Sequence, residues 1–86
     1  MDTSSIEQMI LAGLPDSTVS VTGDDGVHFE ARVVSPSFSG KSTLQRHRMV
    51  YATLGSFMGN EIHALGLQTS TPEESGSGRA DPSDRA

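Results

Sequence analysis

The fold is decided by the stretch FSGKSTLQRHR, residues 38–48, which opens the longest helical pattern in the chain. A β-type segment leads into it over residues 27–34, and a second β-type segment follows it over residues 62–69. Strands that are joined through a helix lie parallel in one sheet, with a right-handed crossover. The stretch is therefore predicted to begin the helix of a β-α-β unit that has a basic turn at its entry.

Working outward, residues 4–14 carry an apolar stripe at helical spacing, formed by Ile6, Met9, Ile10 and Leu14. Ser4 and Glu7 fit a capping box at its start. Residues 18–22 read as a strand, and glycine and aspartate at 23–26 favour a tight hairpin turn. The next segment alternates, so we expect one face of it to be buried, formed by Val27, Phe29, Ala31 and Val33.

The central helix is predicted to start with a capping box of Ser42 and Gln45. Its apolar stripe is predicted to contain Leu44, His47, Val50, Tyr51, Leu54, Phe57 and Met58, and Ser42, Gln45, Arg46, Thr53 and Ser56 are expected on the solvated side. We expect Gly59-Asn60 to end this helix and Phe38 to anchor the preceding loop in the core.

In the third strand, the bulkier set of alternating residues is expected to face the core; these residues are His63, Leu65 and Leu67. His63 is expected to be partly exposed, because it lies at the start of the strand. Thr71 and Pro72 could start a last helical turn. The order α-β-β-α-β(-α) predicts an α+β domain over residues 1–74, with a three-stranded mixed sheet and its helices on one face. Residues 75–86 contain no apolar side chain larger than alanine and are expected to be a disordered tail.

The composition of the chain excludes several kinds of site and of binding partner. The chain has 86 residues, no cysteine and a formal net charge of -5, so we expect one small domain without disulfides or an all-cysteine metal site. Acidity argues against binding nucleic acid or membranes by bulk charge. No apolar run approaches a membrane span and no basic leader precedes an apolar stretch, which predicts a cytoplasmic protein, or an organelle interior if a leader was removed.

Several short motifs of the sequence together resemble those of the BolA family. They are F-x-G-K-x-x-x-Q-R-H-R at 38–48, Val50-Tyr51, I-H-A-L at 62–65 and T-P-E at 71–73. The resemblance covers roughly residues 6–74. Within the family, the sequence most resembles the bacterial acid-stress subgroup and its plastid relatives. It implies an α+β fold similar to a type II KH domain. The family's C-terminal helix usually continues with a tryptophan where this chain has Ser75.

The resemblance also implies a partner, a monothiol glutaredoxin with a Cys-Gly-Phe-Ser site. In such heterodimers a 2Fe-2S cluster bridges the two proteins and is shared with glutathione, in iron–sulfur trafficking or in iron and redox stress regulation. The family histidine near the start of the third strand matches His63. The second ligand lies in the hairpin region, where His28 is the nearest candidate and the region of Asp25 is the alternative. The isolated protein is expected to hold no cofactor and to be a monomer or a weak homodimer.

An alternative function uses the cations of the central stretch. Lys41, Arg46 and Arg48 could contact phosphates, and residues 35–54 resemble the helix-turn-helix-like element through which some BolA proteins are held to bind DNA and regulate transcription. Ser35 stands where a phosphate-binding loop needs its first glycine, and Thr43 replaces the second glycine of a nucleic-acid-binding KH turn. His47 on the inner stripe is expected to be a packed, hydrogen-bonded side chain. No residue pattern indicates a base-activated nucleophile or paired carboxylates, so we do not expect an enzyme.

Overall fold

The structure, a computed structural model, describes residues 2–23, 25–26, 28–62 and 64–76. It contains three α-helices, three strands and two short 3₁₀ helices in that part of the chain. In chain order they are α1 (Thr3–Gly13), β1 (Thr18–Thr22), β2 (His28–Val34), a first 3₁₀ helix (Pro36–Phe38), α2 (Thr43–Leu54), a second 3₁₀ helix (Gly55–Phe57), β3 (Ala64–Ser70) and α3 (Pro72–Gly76). The predicted order of elements is confirmed. Helix α3 extends two residues past the predicted boundary at 74, and residues 77–86 of the predicted tail lie outside the described residues.

The three strands form one mixed sheet in the order β1-β2-β3. Strands β1 and β2 are antiparallel, with Val21 opposite Ala31, and β3 runs parallel to β2, with Ala64 opposite His28. This confirms the predicted hairpin and the predicted crossover through α2. The parallel register places the first residues of β2 and β3 side by side at one end of the sheet.

One face of the sheet is buried under α1 and α2. The alternation predicted for β2 is confirmed over residues 28–33, because Phe29, Ala31 and Val33 are buried while His28, Glu30 and Arg32 are exposed. Val27, also predicted on the buried face, lies outside the described residues. The sheet packs with apolar side chains of the helices and loops, which are Ile6, Ile10, Leu14, Val50, Leu54 and Ile62. Phe38 has no exposed surface, so the anchor expected before α2 is confirmed.

The start of α1 differs from the prediction. Asp2 caps the helix, and its Oδ1 accepts a 2.8 Å hydrogen bond from the N–H of Ser5. Glu7, expected to reach back to Ser4, instead accepts a 3.0 Å hydrogen bond from the N–H of Val21 in β1. A carboxylate two residues before the predicted cap serves the helix end, and Glu7 binds the sheet instead.

Helix α2 begins as predicted and ends earlier. Ser42 and Gln45 form both hydrogen bonds of a capping box. The helix stops at Leu54, because Gly55 adopts a positive φ of 55° that ends the regular helix. The predicted end at Gly59-Asn60 is therefore wrong, and a 3₁₀ turn fills residues 55–57.

The inner stripe of α2 is narrower than its spacing suggested. Val50 and Leu54 are buried, but Leu44 is 59% exposed and Tyr51 is 37% exposed. Phe57 is also 37% exposed, since the helix has already ended before it. Helix α2 meets the sheet with only one narrow side, and side chains on its flank remain at the surface.

Strand β3 starts at Ala64, two residues later than predicted. Leu65 is buried and Leu67 is half-buried, as expected for the core-facing set, while His63 lies outside the described residues. Ile62 is fully buried in the core, and its N–H donates to the carbonyl of Phe57 in the turn that precedes the strand. None of the helices in the described ranges is long and apolar enough to cross a membrane.

Candidate functional site

The first residue of β2, His28, lies at the turn end of the hairpin with 63% of its side chain exposed. Asp25 holds it in two ways. One carboxylate oxygen accepts a 2.8 Å hydrogen bond from the backbone N–H of His28, and the other lies 2.6 Å from the ring Nδ1. The turn that reverses the chain therefore also fixes the orientation of the imidazole.

This contact decides which ring nitrogen of His28 can bind a ligand. An ionised carboxylate only accepts hydrogen bonds. In this contact the Nδ1 of His28 is therefore the protonated ring nitrogen, and it donates the hydrogen bond to Asp25. In a neutral imidazole the lone pair then resides on Nε2, which is the nitrogen left to coordinate a metal. Metal-binding histidines commonly have this arrangement, with the second nitrogen donating to a carboxylate. The arrangement of His28 therefore fits a single imidazole ligand to a metal ion supplied from outside the chain.

The surroundings of His28 are open. An open depression of about 630 Å³ is lined by Thr22, His28, Glu30, Ala64 and Gly66. The carboxylate of Glu30 lies across Gly66, where an added Cβ would come within 2.5 Å of both carboxylate oxygens. Because His28 lines this depression and is largely exposed, its imidazole can be reached from solvent.

The other predicted ligand, His63, lies outside the described residues. The residue after it, Ala64, is exposed and pairs directly with His28 across the parallel register. Among residues 2–23, 25–26, 28–62 and 64–76, no three histidine, cysteine, aspartate or glutamate side chains are grouped so that they could hold a metal ion. The backbone nevertheless brings the start of β3 beside His28.

A second cluster of polar side chains joins α2 to α3. Arg46 forms a forked pair with Glu74 of α3, with distances of 2.9 Å from Nη1 to Oε1 and 3.2 Å from Nη2 to Oε2. Its Nε donates to the carbonyl of Lys41, and its guanidinium lies 5.8 Å from the centre of the Phe38 ring. Only 12% of the side chain is exposed. The expectation that Arg46 lies on the solvated side is therefore wrong.

Glu74 connects this arginine to the start of α3. Its Oε1 accepts the N–H of Thr71, and its own N–H donates to the hydroxyl of Thr71, so the predicted threonine cap is confirmed as a reciprocal capping box. Arg46 thus joins the loop at Lys41 to the last helix, the first through the Lys41 carbonyl and the second through the Glu74 carboxylate. Arg46 was missed as a structural residue because its partner lies 28 residues away in sequence.

The remaining predicted site residues lie at the surface or beside it. Lys41 and Arg48 are exposed. His47 is partly buried and contacts Tyr51 edge to face, with ring centres 6.4 Å apart. Residues 35–37 are held by Asp16, whose carboxylate accepts hydrogen bonds from the hydroxyls of Ser35 and Ser37. No pattern in the sequence pointed to Asp16, whereas Asp25 was visible as an acid three residues before a histidine.

A three-stranded mixed sheet with its helices on one face and a histidine at the turn end of the hairpin defines the class of domain. The family model for BolA-like protein matches residues 14–74. The chain belongs to the BolA-like family. The structure of a BolA protein homologue from Coxiella burnetii is 51% identical, with a TM-score of 0.80, and the match covers 88% of this chain and 97% of that one. These matches confirm the resemblance and the fold that it implied.

Two curated relatives match over part of their length. SufE-like protein 1, chloroplastic/mitochondrial, from Arabidopsis thaliana is 45% identical over 53 residues, which is 60% of this chain and 14% of that protein. BolA-like protein 1 from Homo sapiens is 49% identical over 47 residues, which is 55% of this chain and 34% of that protein. The chain therefore matches only a fraction of the length of these two relatives.

Proposed function

We propose that this protein is a non-enzymatic adaptor that pairs with a monothiol glutaredoxin and contributes imidazole ligands to a 2Fe-2S cluster held between them. His63 and His28 are the proposed ligands from this chain, and the glutaredoxin cysteine and glutathione complete the set. Iron–sulfur trafficking, or iron and redox stress regulation, is the proposed role. Membership of the BolA-like family supports the proposal.

The geometry of His28 is the single observation that carries the proposal. Its ring is exposed at the end of the sheet, and the Asp25 carboxylate 2.6 Å from Nδ1 favours the tautomer that is protonated on Nδ1. Structural histidines inside a fold have their ring nitrogens satisfied by neighbouring groups. His28 instead lines an open depression, so its ring is accessible from solvent, as a ligand to a partner's metal must be.

Imidazole ligands give the cluster properties that suit transfer. Histidine in place of cysteine raises the reduction potential of a 2Fe-2S centre. It also makes the bond sensitive to protonation, since a protonated imidazole has no lone pair for iron. In this chain Asp25 keeps the ring oriented, and the exposed sheet end lets a second protein approach. Both contributions come from the hairpin turn.

The proposal is tested by titrating cluster-loaded monothiol glutaredoxin with this protein and following the visible circular dichroism of the cluster. The wild-type chain is expected to change the spectrum to a saturating end point. His28→Ala should weaken the change or alter its form, because one nitrogen ligand is lost. His47→Ala is the matched control, since it removes a histidine that contacts Tyr51 on α2. A spectrum that responds equally to wild type and His28→Ala would refute the assignment of His28.

The DNA-binding alternative gains no support from the geometry of the basic stretch. Of its three cations, Arg46 is turned inward and paired with Glu74, which leaves Lys41 and Arg48 exposed. Two exposed cations on a chain of net charge -5 provide little of the phosphate neutralisation from which DNA affinity comes. We therefore propose no second function for this stretch.

A further inference from the structure

The two outer edges of the sheet are built differently. At the β1 edge, the N–H of Val21 donates to the Glu7 carboxylate, so a side chain of α1 covers a backbone donor that a foreign strand would need. Strand β3 forms the opposite edge. In the part of the chain that the structure describes, no strand pairs with the outer side of β3.

The register shows which backbone groups of β3 point outward. The carbonyl of Ser70 accepts the N–H of Ser35, so Ser70 turns its backbone groups toward the β2 side. The direction alternates along a strand. Gly66 and Gln68 therefore turn inward as well, while Leu65, Leu67 and Thr69 present their N–H and C=O groups to the free edge.

Strand β3 also lacks the features that usually protect an edge. Its sequence, ALGLQTS, contains no charged residue and no proline. Its pairing with β2 runs without a bulge from Ala64 to Ser70. Natural proteins commonly blunt an exposed edge with a lysine, a proline, a bulge or a covering element. A straight, uncharged strand of this length is suited to accept another strand.

We propose that the free edge of β3 pairs with β3 of a second copy of this chain, antiparallel and centred on Leu67. In this register Leu67 lies opposite Leu67 of the second copy, and Leu65 lies opposite its Thr69. Each outward N–H then meets an outward C=O. The result is a continuous six-stranded sheet across two molecules, in which the half-buried Leu67 side chains cover each other.

The chemistry of the strand favours a second copy as the occupant. A two-fold axis at Leu67 places only uncharged residues opposite one another, so the net charge of -5 on each chain creates no like-charge pair within the strand. The leucine at the centre is matched by itself. A single strand pair is smaller than a standard interface, so we expect a weak dimer with a dissociation constant in the order of 100 μM. This inference is independent of the proposed cluster role, because it concerns the chain alone.

The test is sedimentation equilibrium of the full chain over a wide concentration range. The average mass of the wild type is expected to rise toward twice the monomer mass. Thr69→Pro removes an outward N–H that β2 does not use, so the fold should remain and the dissociation constant should rise roughly tenfold or more. Thr69→Val is the matched control, because it keeps the N–H and nearly the same shape, and it should dimerise like the wild type.

Hydrogen exchange of the wild type gives a second measurement that needs no variant. The amides of Leu65, Leu67 and Thr69 should exchange more slowly as the protein concentration rises, while those of Gly66 and Gln68 should change little. A wild type that stays monomeric at every concentration would overturn the proposal. So would a dimer that Thr69→Pro leaves intact, or exchange at these three amides that does not depend on concentration.

Discussion

His28–Asp25 and Arg46–Glu74 join the same kinds of groups, a nitrogen base and a carboxylate, in opposite settings. In the first pair the side chains are 63% and 48% exposed, and the partners lie three residues apart in one turn. In the second pair they are 12% and 35% exposed, and the partners come from two helices. The exposed pair orients a ring toward solvent, whereas the shielded pair fastens a helix to the fold.

This difference teaches how to assign roles to charged residues in a small domain. A pair in water contributes little to stability because solvent screens it and the side chains lose freedom. A forked, partly buried arginine–carboxylate pair contributes more, and removing one partner leaves the other without its counter-charge. We therefore expect the Arg46 cluster to control folding and the His28 cluster to control binding.

The largest effect is expected for Arg46→Ala. It removes the fork to Glu74, the bond to the Lys41 carbonyl and the contact with Phe38. We expect the free energy of unfolding to fall by about 2 kcal/mol, which lowers the Tm of a domain of this size by roughly 10 °C. Thermal and urea unfolding followed by circular dichroism measure it.

The matched control for this variant is Arg48→Ala, two residues along the same helix and exposed. It should change the free energy of unfolding by no more than about 0.5 kcal/mol. Arg46→Lys should fall between the two, because an ammonium group cannot form the fork. Equal losses in the two alanine variants would show that Arg46 is not the structural residue described above.

A smaller effect on stability, with a clear effect on binding, is expected for Asp25→Asn. The amide keeps an oxygen near His28 but loses the charge that fixes its proton on Nδ1. Stability should change by less than about 1 kcal/mol because the pair is exposed. The concentration needed to saturate the spectral change of cluster-loaded glutaredoxin should rise about tenfold, as for other residues that orient a metal ligand. A saturation curve that matches the wild type would exclude a positioning role for Asp25.

The smallest effect is expected at the fully exposed cap of α1. Hydrogen bonds donated by Ser5, from its side chain and its N–H, lower the pKa of Asp2 below its usual 3.8. Because the pKa of Asp2 is lower in the folded than in the unfolded state, the ionised carboxylate stabilises the fold at pH values above the unfolded pKa. This stabilisation is lost as the pH falls through the folded pKa.

Asp2→Ala should therefore lower the Tm slightly at pH 7, and the difference from the wild type should shrink as the pH is taken below 3.8. Thermal unfolding of both proteins across this pH range checks the effect. A Tm difference that stays constant with pH would show that the charge of Asp2 does not act on the helix end.

Local patterns in the sequence were sufficient for much of the fold. The Ser42–Gln45 capping box and the alternation around Phe29 and Ala31 involve near neighbours in sequence, and both are present as predicted. The end of α2 was harder to predict, because Gly55 and Gly59 are both competent to stop a helix and the choice depends on tertiary packing.

The site was predictable where its contacts are local. Asp25 and His28 share one turn, so the environment of this histidine can be read from adjacent residues. Arg46 follows helical spacing to the surface, and only its distant partner Glu74 explains why it is turned inward. Helical spacing predicts on which face of a helix a side chain lies, but a partner that is distant in sequence can still bury that side chain.

The most direct test of the central claim is co-purification of this protein with a monothiol glutaredoxin, followed by iron and sulfide analysis of the complex. The wild type is expected to yield a heterodimer with two irons and two sulfides, and the combined His28→Ala and His63→Ala variant should bring down glutaredoxin with little or no cluster at the interface. A variant complex with the same iron and sulfide content and the same visible circular dichroism as the wild type would contradict the account.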